Sequence, residues 1–109
     1  MKTLMITAVA FAALAGAAQA APGVTDRAYV EAARCRGLAN STGLGKLDTA
    51  QIDTFLRDQG GSRELGVRTQ AINKMKGAEA EGDKADAEKK AKLLAEREKV
   101  CGGYLAGGN

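Results

Sequence analysis

The chain has 109 residues, enough for one domain. Its 16 basic and 13 acidic side chains leave a net charge of +3, too small and too mixed for the concentrated basic face of a nucleic-acid-binding protein. Histidine is absent, which removes the commonest zinc ligand and the most frequent general base.

The first twenty residues differ from the rest. Met1-Lys2 is a short basic start, Leu4 to Ala15 is apolar apart from Thr7, and Ala18-Gln19-Ala20 places small residues before Ala21-Pro22. That order is a secretory signal peptide, with cleavage expected between Ala20 and Ala21. A membrane anchor needs about 20 apolar residues, and this run has 12. Nor does a second such run follow, so no integral span is expected. Removing residues 1–20 from 109 leaves a mature chain, 21–109, of 89 residues. Loss of Lys2 from the 16 basic residues leaves 15 against 13 acidic. The expected compartment is the periplasm or the extracellular space, since the short alanine-rich leader has a bacterial look.

Helix signals dominate the mature chain. Thr25 or Asp26 can cap a first helix, on which Ala28, Ala32, Cys35 and Ala39 share a face flanked by Tyr29 and Leu38. The spacing points Cys35 inward, among small residues that let another helix approach closely. Ser41 to Gly45 reads as a loop. Asp48 with Gln51 suggests a capping box, and Leu47 with Ile52 a hydrophobic staple, for a second helix. Ile52, Phe55 and Leu56 form its stripe. Fully buried, the Phe55 ring would contribute about 3–5 kcal/mol. Gly60-Gly61 is expected to stop this helix in a left-handed turn.

Ser62 can cap a third helix with Leu65, Ile72 and Met75 on its buried stripe, and Glu64 with Arg68 as an i,i+4 pair. From Arg63 to Cys101 the helical pattern runs 39 residues, about 58 Å at 1.5 Å per residue. A compact domain of this size is about 30 Å across, so a break is expected near Gly77–Gly82 with Asp83 as a new cap. Asp83 to Lys99 carries six basic and five acidic residues and reads as a solvated helix face. Asp86 with Lys90 and Glu88 with Lys92 are in the favourable acid-before-base order. Ala87, Ala91, Leu94, Cys101 and Leu105 would share the inner side, with the last turn ending at Gly102-Gly103. Alternation of period two is absent, so no strand is expected.

The mature chain has only eighteen large apolar residues, a thin core for a domain that would be marginal without a staple. Cys35 and Cys101, an even pair in an exported chain, read as a disulfide closing a loop of 66 residues. The expected fold is therefore all-α: a small bundle of three or four short helices, the first and last joined by Cys35–Cys101.

Motifs for chemistry are not found. Gly43-Leu44-Gly45-Lys46 resembles the end of a phosphate loop, but Asn40 stands where the motif needs glycine and Leu47 where it needs Ser or Thr. Asn40-Ser41-Thr42 matches a glycosylation sequon, which matters only in a eukaryotic secretory pathway; with this leader it is expected to be a chance match. The two cysteines are too far apart for a Cys-x-x-Cys redox motif, and two thiolates without histidine do not complete a zinc site. Carboxylate pairs such as Asp53 with Glu64, or Glu79 with Glu81, can be imagined as acid and base, and no cleft is foreseen for them. No catalytic residue, metal or cofactor is assigned. The expected role is non-catalytic: an exported, monomeric helical protein that binds or supports another envelope component. The alternative is a stress-type chaperone for envelope proteins, with an enzyme third.

Overall fold

A computed structural model describes residues 23–108. The expected leader, 1–20, and the Ala20–Ala21 cleavage point lie outside the described residues. Five helices follow one another: α1 (Asp26–Ala39), α2 (Ala50–Gly60), α3 (Leu65–Asp83), α4 (Ala87–Lys99) and the single turn α5 (Gly102–Leu105). The fold is all-α, as the periodicity predicted.

The first helix starts where Thr25 Oγ1 accepts the Ala28 amide at 3.1 Å. It is the hub of the molecule, packing against each of the other helices and most extensively along α3. Its buried residues are Tyr29, Ala32, Ala33, Cys35, Gly37, Leu38 and Ala39. Small residues occupy more of this surface than large ones, so α3 comes close. A β-carbon at position 37 would collide with the Met75 carbonyl oxygen.

On α3 the buried residues are Ala71, Ala78 and Gly82, with Val67 and Met75 packed beside them. Leu65 and Ile72, expected on the buried stripe, are 76% and 47% exposed. At 100° per residue they lie roughly 100° round the helix from the small-residue stripe. The close crossing selects small side chains and turns the large ones away.

Several helix ends differ from expectation. The second helix is capped at Thr49 rather than Asp48; Asp48 instead accepts the Ala50 amide from one position earlier. The shift takes Leu47 out of staple position, and it is 44% exposed. Gly61 is right-handed (φ −60°, ψ −27°), because the α2 terminus is closed by Arg63, whose Nε donates to the Gln59 carbonyl at 3.0 Å. At α3 the cap is Glu64, not Ser62.

The expected break in the long helical stretch is present but lies later. α3 passes through both Gly77 and Gly82 and ends at Asp83. Asp86, not Asp83, caps α4 by accepting the Lys89 amide at 2.8 Å. Asp83 is instead drawn to the α1–α2 loop. Of the predicted acid–base pairs only Glu88–Lys92 is found among the described ion pairs, at 3.8 Å. On α4 the buried residue is Leu93, with Leu94 half-buried and Ala87 and Ala91 exposed. Gly102-Gly103 begins α5 rather than ending a helix. The chain turns off at Gly107 and Gly108, both with positive φ.

Two apolar clusters result. One surrounds the disulfide: Cys35, Leu38, Leu44, Ile52, Ala78, Leu93 and Cys101. The other joins Tyr29, Ala33 and Ala71, with Val67 and Met75 against it. Phe55 is half-buried and meets Tyr104 at 6.0 Å between ring centroids. Its truncation would therefore cost less than the full-burial figure.

Gly77 lies in the interior of α3 on the exposed side, where a β-carbon would meet nothing within 4 Å. Gly77→Ala should stabilise the fold by about 0.5–1 kcal/mol, by reducing the freedom of the unfolded chain. Chemical denaturation should show a higher midpoint at unchanged slope.

Candidate functional site

Cys35 and Cys101 are bonded, with S–S at 2.04 Å and α-carbons 5.4 Å apart. Both are fully buried. The bond joins the middle of α1 to the junction of α4 and α5, at the centre of the larger cluster. It is a staple shut away from solvent, not an exposed redox pair.

Around it, charged side chains tie the helices together. Arg34, the residue before Cys35, reaches outward with a two-pronged contact to Glu96 of α4: Nε–Oε2 at 2.7 Å and a terminal nitrogen to Oε1 at 2.9 Å. The same terminal nitrogen donates to Glu81 of α3 at 3.1 Å, and Lys89 closes on the other Glu81 oxygen at 3.0 Å. The Glu96 hydrogen bond raises the Arg34 pKa above its already high value. Glu81 is held below the usual carboxylate range by the Lys89 hydrogen bond, opposed by partial burial and reinforced by Arg34.

Asp83 does similar work at the end of α3. Its Oδ1 accepts the Gly43 amide at 3.0 Å and the Ser41 hydroxyl at 2.8 Å. These bonds, the Gly43 amide foremost, lower its pKa. Ser41, the middle of the possible sequon, is fully buried. The glycine-containing loop is thus a structural turn: Gly45 has φ +89°, and Arg97 donates to the carbonyls of Leu38, Leu44 and Gly45. On α2, burial pushes Asp53 upward, but hydrogen bonds from Arg36 and Thr49 outweigh it and the net shift is down.

One member of each carboxylate pair considered for acid–base work is engaged in an ion pair: Asp53 by Arg36, with Thr49 also donating to it, and Glu81 by Arg34 and Lys89. Among the described residues, no group of three or more Cys, Asp or Glu is placed to hold a metal. Every buried side-chain nitrogen or oxygen there has a hydrogen-bond partner. No helix among them is long and apolar enough to cross a membrane.

Two concave surfaces flank α3. A shallow groove of about 760 Å³ runs along its outer face past Gly66, Gln70, Asn73, Gly77 and Lys84, with Arg34 at one side. A smaller notch of about 150 Å³ opens between α2 and α3, with Tyr29 and Ala33 of α1 contributing beside Leu56, Ala71, Ile72 and Met75. The notch exists because α2 and α3 both pack on α1 and have little contact with each other. Its walls are almost wholly apolar, and Ile72 stands exposed at its edge.

The Arg34–Glu81–Glu96 group, the Asp83 hub and the Arg97 carbonyl clamp were not legible in the sequence. Each joins residues 40 or more positions apart, and no spacing rule reaches that far. Comparison with protein-family models, curated proteins and solved structures finds no match.

Proposed function

We propose that the chain is a non-catalytic exported protein that binds or supports another component of the cell envelope. The observation that carries this reading is the apolar side of α3: Ile72 stands exposed at the α2–α3 notch, and Leu65, two turns earlier on the same side of the helix, is exposed as well; exposed apolar surface next to a concavity is what a binding surface offers. Support for export comes from the leader pattern of residues 1–20 and from the disulfide, a bond favoured in oxidising compartments. Intact-mass measurement of the exported protein should give an N-terminus at Ala21; recovery of soluble envelope protein that retains Met1 would refute the processing.

The binding reading is tested by replacing Leu65 and Ile72 together with glutamate. Both are exposed, so folding should survive with a melting temperature near wild type. Cross-linking capture from envelope extract should recover a discrete partner with wild type and lose it with the double variant. Equal capture by both would place binding elsewhere and remove this surface from the proposal.

The carboxylate staples favour a second reading, a chaperone released by acid. Asp53, Glu81 and Asp83 all have lowered pKa values in the fold. A carboxylate lowered on folding stabilises the folded form fully above its unfolded pKa. That contribution is lost as pH falls through the ordinary carboxylate range, about 4, and is gone below the lowered folded value. Acid should thus loosen the contacts of α3 with α1 and α4 before the disulfide-centred cluster opens. A dye that binds apolar surface should brighten as pH falls below about 4. Unchanged dye binding down to pH 2 would eliminate the chaperone reading and leave the binding module.

A further inference from the structure

Once Cys35 and Cys101 are bonded and buried, one sulfur among the described residues is left to oxidise. It belongs to Met75. The residue occupies a sensitive place. Its side chain is half-buried, lines the α2–α3 notch and packs against the Tyr29–Ala33–Ala71 cluster. Its backbone carbonyl lies against Gly37 of α1, so close that a β-carbon there would collide with it. The notch gives a small oxidant a route from solvent to the walls that Met75 helps to form, and thioether oxidation follows exposure.

We infer that Met75 is an oxidant-responsive modification site, converted to its sulfoxide by a peroxide. The sulfur lone pair attacks one peroxide oxygen, an S–O bond forms and the O–O bond breaks. The transferred oxygen gives up its proton to the departing hydroxide, which leaves as water. Sulfur is oxidised by two electrons and the peroxide reduced by two. The product places a polar, chiral S–O group among Tyr29, Ala33, Leu56 and Ala71, none of which brings a side-chain hydrogen-bond donor except the Tyr29 hydroxyl. Away from the Tyr29 hydroxyl, a polar atom in such walls is stable only if it turns to solvent. Turning outward takes the side chain off the cluster and widens the notch. The close α1–α3 crossing at Gly37 then loses the Met75 side chain from its flank and keeps only the small residues, Ala71 and Ala78, against α1.

The test is hydrogen peroxide treatment of the full, disulfide-bonded chain, with peptide mapping to separate Met75 from Met1 and Met5. Folded Met75 should take up one oxygen at a rate within about tenfold of the chemically unfolded chain. The modified protein should melt at least about 5 °C lower and bind more of an apolar-surface dye. Met75→Leu keeps the volume and removes the chemistry at this position; it should melt near wild type, and peroxide should change neither its melting temperature nor its dye binding. Met75→Gln should imitate the oxidised protein without peroxide. Protection of folded Met75 under conditions that oxidise the unfolded chain completely would overturn the proposal. So would a Met75 sulfoxide form that melts and binds dye like the untreated protein.

Discussion

Reduction of Cys35–Cys101 should lower the melting temperature by roughly 15–30 °C, the largest single effect expected for this fold. The bond closes a loop of 66 residues, and the chain-entropy model gives that loop about 4 kcal/mol of stabilisation through the unfolded state. In a domain of this size, 1 kcal/mol corresponds to about 4–8 °C, and total stability is about 5–15 kcal/mol. Few other contacts could replace it. Among the described residues the buried aliphatic side chains around the bond are few: Leu38, Leu44, Ile52 and Leu93. Since both sulfurs are inaccessible, reductant should act slowly on the native protein and quickly once denaturant opens it. Cys35→Ala with Cys101→Ala separates loss of the cross-link from the effect of buried thiols. Thiol labelling under denaturing, non-reducing conditions should find no free group, and the protein should run as a monomer on a non-reducing gel. Equal melting curves before and after verified reduction would show that the helices hold together without the cross-link.

The features legible in the sequence were those written in local spacing. Cys35 could be placed on an inward face because Ala32 and Ala39 stand one turn to either side, and Thr25 could be named as a cap because it precedes a helical pattern. The disulfide followed from compartment, count and burial, without any knowledge of how α1 and α4 lie. Pattern failed where packing overrides hydrophobicity. Leu65 and Ile72 are the most apolar residues of α3, and a hydrophobic stripe drawn through them is reasonable. The crossing with α1 is so close, however, that Ala71, Ala78 and Gly82 occupy it instead. Which of two possible faces a helix buries depends on its partner's side-chain volume, and that is not a property of the helix alone. Asp83 shows the same limit for polar groups. Its position after Gly82 looks like a cap for the next helix, yet the loop amide of Gly43 and the Ser41 hydroxyl claim it.

The candidate binding surface is hidden from the sequence for the same reason. A stripe through Leu65 and Ile72 puts both in the core and leaves no room for the α2–α3 notch. The notch arises because α2 and α3 both rest on α1 and have little contact with each other, leaving Tyr29 and Ala33 between them. The tightness that confines α3 to small residues therefore also presents its large ones to solvent.

That tightness can be tested at its centre. Gly37→Ala adds one methyl group to α1, on the helix interior, where alanine is intrinsically favoured over glycine by about 1 kcal/mol. In an exposed helix the change would stabilise. Here the new β-carbon would fall onto the Met75 carbonyl oxygen and lie 3.1 Å from the Ala78 β-carbon. Neither neighbour can step aside: one is backbone within α3, and the other is attached directly to it. The two helices must separate or slide, and overpacking of this kind costs about 1–3 kcal/mol or more. Net destabilisation is expected, opposite in sign to Gly77→Ala on the free side of α3. Displacement of α3 would also pull on the Arg34–Glu81 contact and on Asp83 where it holds the α1–α2 loop. Amide exchange should therefore quicken along α3 and around Ser41–Leu44, while α2 stays protected. A Gly37→Ala protein as stable as wild type, with α3 amides unchanged, would show that the helices do not meet as closely as the Gly37–Met75 contact requires.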